Sequence, residues 1–123
     1  MRVLIVDDSR LIREYLKGLL DDMEMQCVEA VDGSEALTVL REGEGFDVML
    51  LDMNLPVMDG LECVRRVRAA GLHPAMKVMM VATEREDAFF RAARAGGVDA
   101  FLLQPFTGEA LREKLMGLGC RAV

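Results

Sequence analysis

Asp7, Asp8 and Asp52 are the residues whose type and placement suggest chemistry. Asp7-Asp8 follows the apolar run Val3-Leu4-Ile5-Val6, and Asp52 closes the apolar stretch from Phe46 to Leu51. If both runs are buried strands of one parallel sheet, their carboxyl ends share an edge and the three carboxylates meet there. Carboxylates packed together repel one another and raise one another's pKa. A hard divalent cation relieves that repulsion. Mg²⁺ takes oxygen ligands, keeps several waters, and commonly binds through one or two carboxylates plus a phosphate. A carboxylate is also a nucleophile towards phosphorus, giving an aspartyl phosphate, with Mg²⁺ neutralising the incoming charge. Asp52 is the better nucleophile, because it stands alone and faces the Asp7-Asp8 pair. One acidic strand end would be read as a helix cap, a role open to Asp8 or Ser9. Three at one edge favour a site.

The elements that must position these residues can be read along the chain. Apolar runs mark strands buried on both faces: Val3 to Val6 is unbroken, Phe46 to Leu51, Lys77 to Ala82 and Val98 to Leu103 are mostly apolar, and Met25 to Ala30 is a further strand. Helical spacing fills the intervals. Leu11, Ile12, Tyr15, Leu16, Leu19 and Leu20 form one apolar helix face, capped by Ser9. Asp32-Gly33-Ser34-Glu35 is a variant capping box before a helix reaching about Glu42. Asn54, Pro56, Asp59 and Gly60 form a loop before a helix ending near Gly71. Asp87 to Ala95 is a short helix stopped by Gly96-Gly97, and Thr107 caps the last helix, lined by Leu111, Leu115 and Leu118. The pattern is β-α five times over, which predicts an α/β fold with a parallel sheet covered on both faces. In such sheets the site lies at the carboxyl ends of the strands. The five units consume residues 1–123 as one expected domain.

Composition narrows the function. The chain has 123 residues, 52% hydrophobic and 29% charged, with Lys plus Arg 15 against Asp plus Glu 21 and a net charge of -6. An acidic balance argues against a nucleic-acid binder. No apolar run approaches the roughly 20 residues of a membrane span, and the N-terminus meets acid too early for a signal peptide. A cytoplasmic protein without membrane contact is expected. Cys27, Cys63 and Cys120 have no metal-knuckle spacing, and His73, the sole histidine, falls in a loop. Zinc and histidine-based nucleophilic sites are therefore disfavoured. The ten methionines fall mostly in strands and are read as core. Phe89 and Phe90 are adjacent on a short helix, so both cannot face the core fully, and one is expected to be exposed.

The sequence resembles the receiver domain of two-component response regulators. The segments that carry this are Val3 to Ser9, Asp47 through Asp52-Met53-Asn54-Leu55-Pro56-Val57-Met58-Asp59-Gly60, and Phe101 to Phe106. The resemblance implies a flavodoxin-like (βα)5 fold of strand order 2-1-3-4-5. It implies that Asp52 is the phosphoacceptor, that Asp8 and Asp7 are acidic Mg²⁺ ligands alongside Asp52, and that Asn54 gives its backbone carbonyl to the metal. Phe101 matches the aromatic switch residue, and Gln104-Pro105 the family's cis peptide. A histidine kinase or phosphotransfer protein is the implied donor. The face of the fourth helix, fifth strand and fifth helix is the implied contact for a downstream protein or a second copy in a homodimer. No conventional enzyme activity is implied beyond self-phosphorylation and dephosphorylation at Asp52.

Two positions depart from the family pattern. Gln104 stands where the family has a lysine, replacing an ammonium by a neutral amide. Counting from Gln104 and from Asp52 places Ala82 at the usual threonine or serine, with Thr83 one residue later. One residue along a strand changes the face, and Thr83 is expected to reach the phosphate from the loop. Arg10 and Arg85 are candidate substitutes for the missing cation, because a guanidinium binds phosphate bidentately. The competing reading is a pseudo-receiver, a phosphorylation-independent interaction module.

Overall fold

The computed structural model describes residues 1–83 and 86–120. Five strands alternate with five helices: β1 Arg2–Val6, α1 Arg10–Asp22, β2 Gln26–Ala30, α2 Gly33–Glu42, β3 Phe46–Asp52, α3 Gly60–Ala69, β4 Lys77–Ala82, α4 Asp87–Ala95, β5 Ala100–Leu103 and α5 Gly108–Gly117. All strand pairs are parallel, in the order β2-β1-β3-β4-β5. The parallel sheet expected from the alternation of elements is found, in the flavodoxin-like strand order that the family resemblance implies.

The sheet divides the core into two layers because successive side chains point to opposite faces. Leu4, Val6, Met49, Leu51, Val78 and Met80 pack with α2, α3 and α4 on one side. Val3, Ile5, Val48, Leu50, Met79, Val81 and Leu102 pack with α1 and α5 on the other. Six methionines are buried in these layers, Met23, Met25, Met49, Met76, Met79 and Met80, as core packing predicts. The three cysteines are free.

Side-chain caps fix where four helices begin. Ser9 Oγ accepts from the Ile12 N–H, Asp32 Oδ1 from Glu35, Asp59 Oδ1 from Glu62, and Thr107 Oγ1 from Ala110. Each bond satisfies a donor that the first helical turn leaves free. All four caps sit where strands give way to helices, so they hold the same edge as the carboxylates.

Three expectations are corrected. Leu11 is 77% and Tyr15 47% exposed, so the buried stripe of α1 is Leu16 and Leu20 flanked by Ile12 and Leu19. At 100° per residue the stripe is narrower than the apolar sequence. The fifth strand begins at Ala100 because the Val98 N–H closes the end of α4 on Ala93 O. Neither Phe89 nor Phe90 is fully exposed. Both are half-buried against Phe101, with ring centroids 6.4 and 4.6 Å from it.

Candidate functional site

The acidic residues converge. β1 and β3 are neighbours, paired Val6 to Leu51, so Asp7 and Asp8 leave the sheet beside Asp52. One carboxylate oxygen from each of Asp7, Asp8 and Asp52 lies within 4.8 Å of the others. Asp7 is 3% exposed, Asp52 is half-buried and Asp8 is exposed. The site therefore grades from a buried floor to an open rim.

Local hydrogen bonds set each carboxyl group. The Asp7 N–H donates to Ala30 O at 3.1 Å, and Asp7 Oδ1 accepts from the Ser9 N–H at 2.8 Å. Asp52 Oδ1 accepts from the Asn54 N–H at 3.2 Å. Gly60 is needed here because a Cβ on it would lie 2.5 Å from Asp52 O. The glycine lets α3 start against the strand that carries Asp52. Between them, Met58 N–H turns back onto Pro56 O, and Val57 sits at φ 68, 88% exposed.

Burial pushes the Asp52 carboxyl up to about 6, and the charges of Asp7 and Asp8 push it the same way against the Asn54 and Met53 N–H groups. Asp7 is also raised, first by burial and then by Asp8, against the Ser9 N–H and Arg13. Three carboxyl groups held together at this cost are the donor set for a hard cation with oxygen ligands. Asp7, Asp8 and Asp52 fit Mg²⁺ on that ground.

The other candidate residues are placed as follows. β4 ends at Ala82, which pairs with Leu103, while Asp52 pairs with Val81. Neither pairing contains a register shift, so Thr83 lies one residue past the strand, in the loop. Thr83 is exposed; its N–H donates to Met53 Sδ at 3.3 Å, and its hydroxyl lies 3.9 Å from the same sulfur. The Gln104 N–H donates to Ala82 O at 2.9 Å, and the Gln104–Pro105 peptide is cis. Thr83 and Gln104 line one cleft of about 490 Å³ with Ile12, Tyr15, Pro105 and Phe106. Phe101 is 7% exposed beneath the Arg94 guanidinium, 5.5 Å from its ring. Arg10 pairs with Glu14 at 2.9 Å along the exposed face of α1. Arg85 lies outside the described residues.

Sequence reasoning missed Arg13 and Met53. Arg13 Nη1 donates to Asp7 O at 2.8 Å and its Nε pairs with Glu29 at 3.0 Å, tying α1 and β2 to the acidic strand end. Its signal was a cation one helical turn beyond the Ser9 cap. Met53 packs against the Leu4 and Leu51 layer, as a core methionine should, and its sulfur in addition takes the Thr83 N–H.

The family model described as the response regulator receiver domain matches residues 3–116. A chemotaxis protein CheY homolog of Campylobacter jejuni is 39% identical over 116 residues, which is 94% of this chain and 89% of that protein. The chemotaxis protein CheY of Pseudomonas aeruginosa is 39% identical over 117 residues, 94% of this chain and 93% of that one. The solved structure of CheY4 from Vibrio cholerae superposes with a TM-score of 0.89 at 34% identity, covering 95% of this chain and 97% of that chain.

Proposed function

The chain belongs to the response regulator receiver family, and from that premise we propose that it accepts a phosphoryl group on Asp52 and switches partner binding in response. The observation that carries this reading is the convergence of three carboxylates within 4.8 Å, with burial and like charge raising Asp52. Such a cluster is costly to fold unless it serves a ligand. Mg²⁺ bound by Asp7, Asp8, Asp52 and the Asn54 carbonyl would supply charge neutralisation for the incoming phosphoryl group.

The steps assigned to this chain are few. An Asp52 oxygen attacks phosphorus, and the bond from phosphorus to its donor breaks. The departing electron pair goes to the donor, an imidazole nitrogen of a histidine kinase or phosphotransfer protein, or acetate from acetyl phosphate. Asp7, on the buried floor, holds the Ser9 N–H and fixes the metal side of the site. Gln104 offers an amide N–H where the family offers an ammonium, and a neutral donor gives about half the strength of a charge-assisted bond. Phe101, packed against Phe89 and Phe90, is assigned the part of the aromatic switch residue, and the α4-β5-α5 face that of the output surface. The phosphoryl group would act by biasing a two-state equilibrium. Cytoplasmic residence, contact with proteins and not nucleic acid, and a single domain over residues 1–123 complete the proposal.

Incubation with Mg²⁺ and acetyl phosphate, read by intact mass beside Asp52→Ala, tests this. A phosphoryl-sized gain that disappears in Asp52→Ala is expected. No gain, where an ordinary receiver is labelled, would favour the phosphorylation-independent interaction module, a reading supported by Gln104 and by the displacement of Thr83 one residue past the strand end.

A further inference from the structure

Asp7 is held on three sides as it leaves β1. Its N–H donates to Ala30 O at 3.1 Å, its Oδ1 accepts the Ser9 N–H at 2.8 Å, and its carbonyl oxygen accepts Arg13 Nη1 at 2.8 Å. The last of these bonds reaches beyond Asp7. A peptide is planar, so a carbonyl fixed in direction also fixes the amide and the Cα that follow it. Those atoms belong to Asp8. Asp8 is exposed on the rim, yet one of its carboxylate oxygens lies within 4.8 Å of those of Asp7 and Asp52.

Arg13 is itself placed by two elements. Its N–H donates to Ser9 O at 3.0 Å, which sets it one turn beyond the cap of α1. Glu29 pairs with Ile5 across β1 and β2, and Ile5 belongs to the core layer beneath α1. Paired residues lie on one face of a sheet, so Glu29 projects towards α1. There Glu29 Oε1 meets Arg13 Nε at 3.0 Å, with the Arg13 side chain only 13% exposed. One guanidinium thus spans Glu29 and Asp7 O. A rigid planar fork suits that span, and the single ammonium of a lysine does not. The pairing also answers a difficulty. A cation near a metal site repels the metal, and Glu29 offsets the charge that Arg13 brings.

We propose that Arg13 is a positioning residue for the divalent cation: its guanidinium, held by Glu29, orients the Asp7–Asp8 peptide so that the Asp8 carboxylate meets those of Asp7 and Asp52. This rests on the acidic cluster being the Mg²⁺ site of the receiver reading. Arg13 touches neither the metal nor the phosphoryl group and acts through Asp8.

Mg²⁺ affinity, measured by calorimetric titration of the unaltered chain, Arg13→Gln and Arg13→Lys, tests this, because charge and orientation predict opposite signs. If Arg13 were only a nearby charge, Arg13→Gln would tighten Mg²⁺ and Arg13→Lys would leave it unchanged. Positioning predicts affinity about tenfold weaker in Arg13→Gln, the worth of one hydrogen bond to a charged group, and weaker in Arg13→Lys as well. Affinity in Arg13→Gln that is unchanged or tighter overturns the inference. Glu29→Gln is expected to weaken Mg²⁺ about threefold, in the range of a part-exposed ion pair, and to have no further effect beside Arg13→Gln, since it acts through Arg13. A Glu29→Gln effect that persists in that background would be long-range charge and would overturn the link. Without Mg²⁺, the Asp8 amide resonance must shift in both Arg13 variants; an unmoved resonance overturns the orienting contact independently. Arg13→Lys keeps the charge opposite Glu29 and carries the test where Arg13→Gln does not fold. Failure of the unaltered chain to bind Mg²⁺ would overturn the cation site and this inference together, and is recognisable because it precedes any comparison of variants.

Discussion

The two ends of the sheet treat charge in opposite ways. At the amino end, charged and polar groups are answered locally. Arg68 donates to Gly97 O and Met76 O and pairs with Asp99 at 3.0 Å. Asp99 also accepts the Val78 N–H, Asp47 accepts the Arg2 N–H, and His73 Nε2 meets Leu40 O. At the carboxyl end, three carboxylates gather with Arg13 as a partial counterweight, and Arg13 itself is shared with Glu29. Burial without matching charge raises a carboxyl pKa, and Asp52 and Asp7 show it. The same strands therefore build a finished edge and an unfinished one, and the unfinished one is where a ligand completes the electrostatics.

The comparison is broken most severely at the finished edge. Arg68→Ala would leave Gly97 O, Met76 O and Asp99 without their guanidinium. Loss of one partner from a partly buried, hydrogen-bonded pair costs about 2–4 kcal/mol. A fall in stability of that size in urea melts is expected, with Mg²⁺ affinity unchanged. An unchanged midpoint would show that this edge does not depend on its pairing.

At the unfinished edge the opposite sign is expected. Asp52 has a folded-state pKa of about 6, above its unfolded value of about 4. The native state holds the proton more tightly, so stability falls as pH rises from about 4 through about 6 and stays lowered above. Asp52→Asn removes that cost. In EDTA at pH 7.5 it should gain about 1–2 kcal/mol, allowing for solvent screening of a half-buried group. The gain should vanish near pH 4. Mg²⁺ should stabilise the unaltered chain and close the gap, because a ligand that binds only the native state stabilises it. Thermal melts in these three conditions check it, and a variant less stable than its parent in EDTA would reverse the comparison.

The fold was legible because its signals are periodic and local. Apolar runs marked β1, β3 and β4, and the caps Ser9, Asp32 and Thr107 lay where helices begin. The acidic trio was legible for a different reason: topology alone brings Asp7, Asp8 and Asp52 to one edge. What escaped was set by side-chain reach. Nothing in spacing says that Arg13 turns back to Asp7 O and not out to solvent. Nor does it say that Met53 directs its sulfur at Thr83. Leu11 misled because an apolar residue on the flank of a helix stripe reads like one inside it. These are choices among rotamers, and only packed neighbours decide them.

Gln104→Lys sharpens the comparison with the smallest expected effect. It installs at the unfinished edge the kind of counter-charge that Arg68 provides at the other. The Gln104 backbone is pinned to Ala82 O, so a lysine there projects from the same anchor, beside Thr83 in the cleft. Its ammonium would replace a neutral donor by a charge-assisted one. A gain of about 1 kcal/mol for the phosphorylated state, roughly fivefold in labelled fraction at limiting acetyl phosphate, is expected. The apo protein should also lose part of its Asp52→Asn stabilisation, since the added cation already offsets the carboxylates. Both readouts moving together would show that the missing charge, and not the geometry of the edge, limits this site. A labelled fraction unchanged while the apo stability shifts would assign the limit to the position of Thr83.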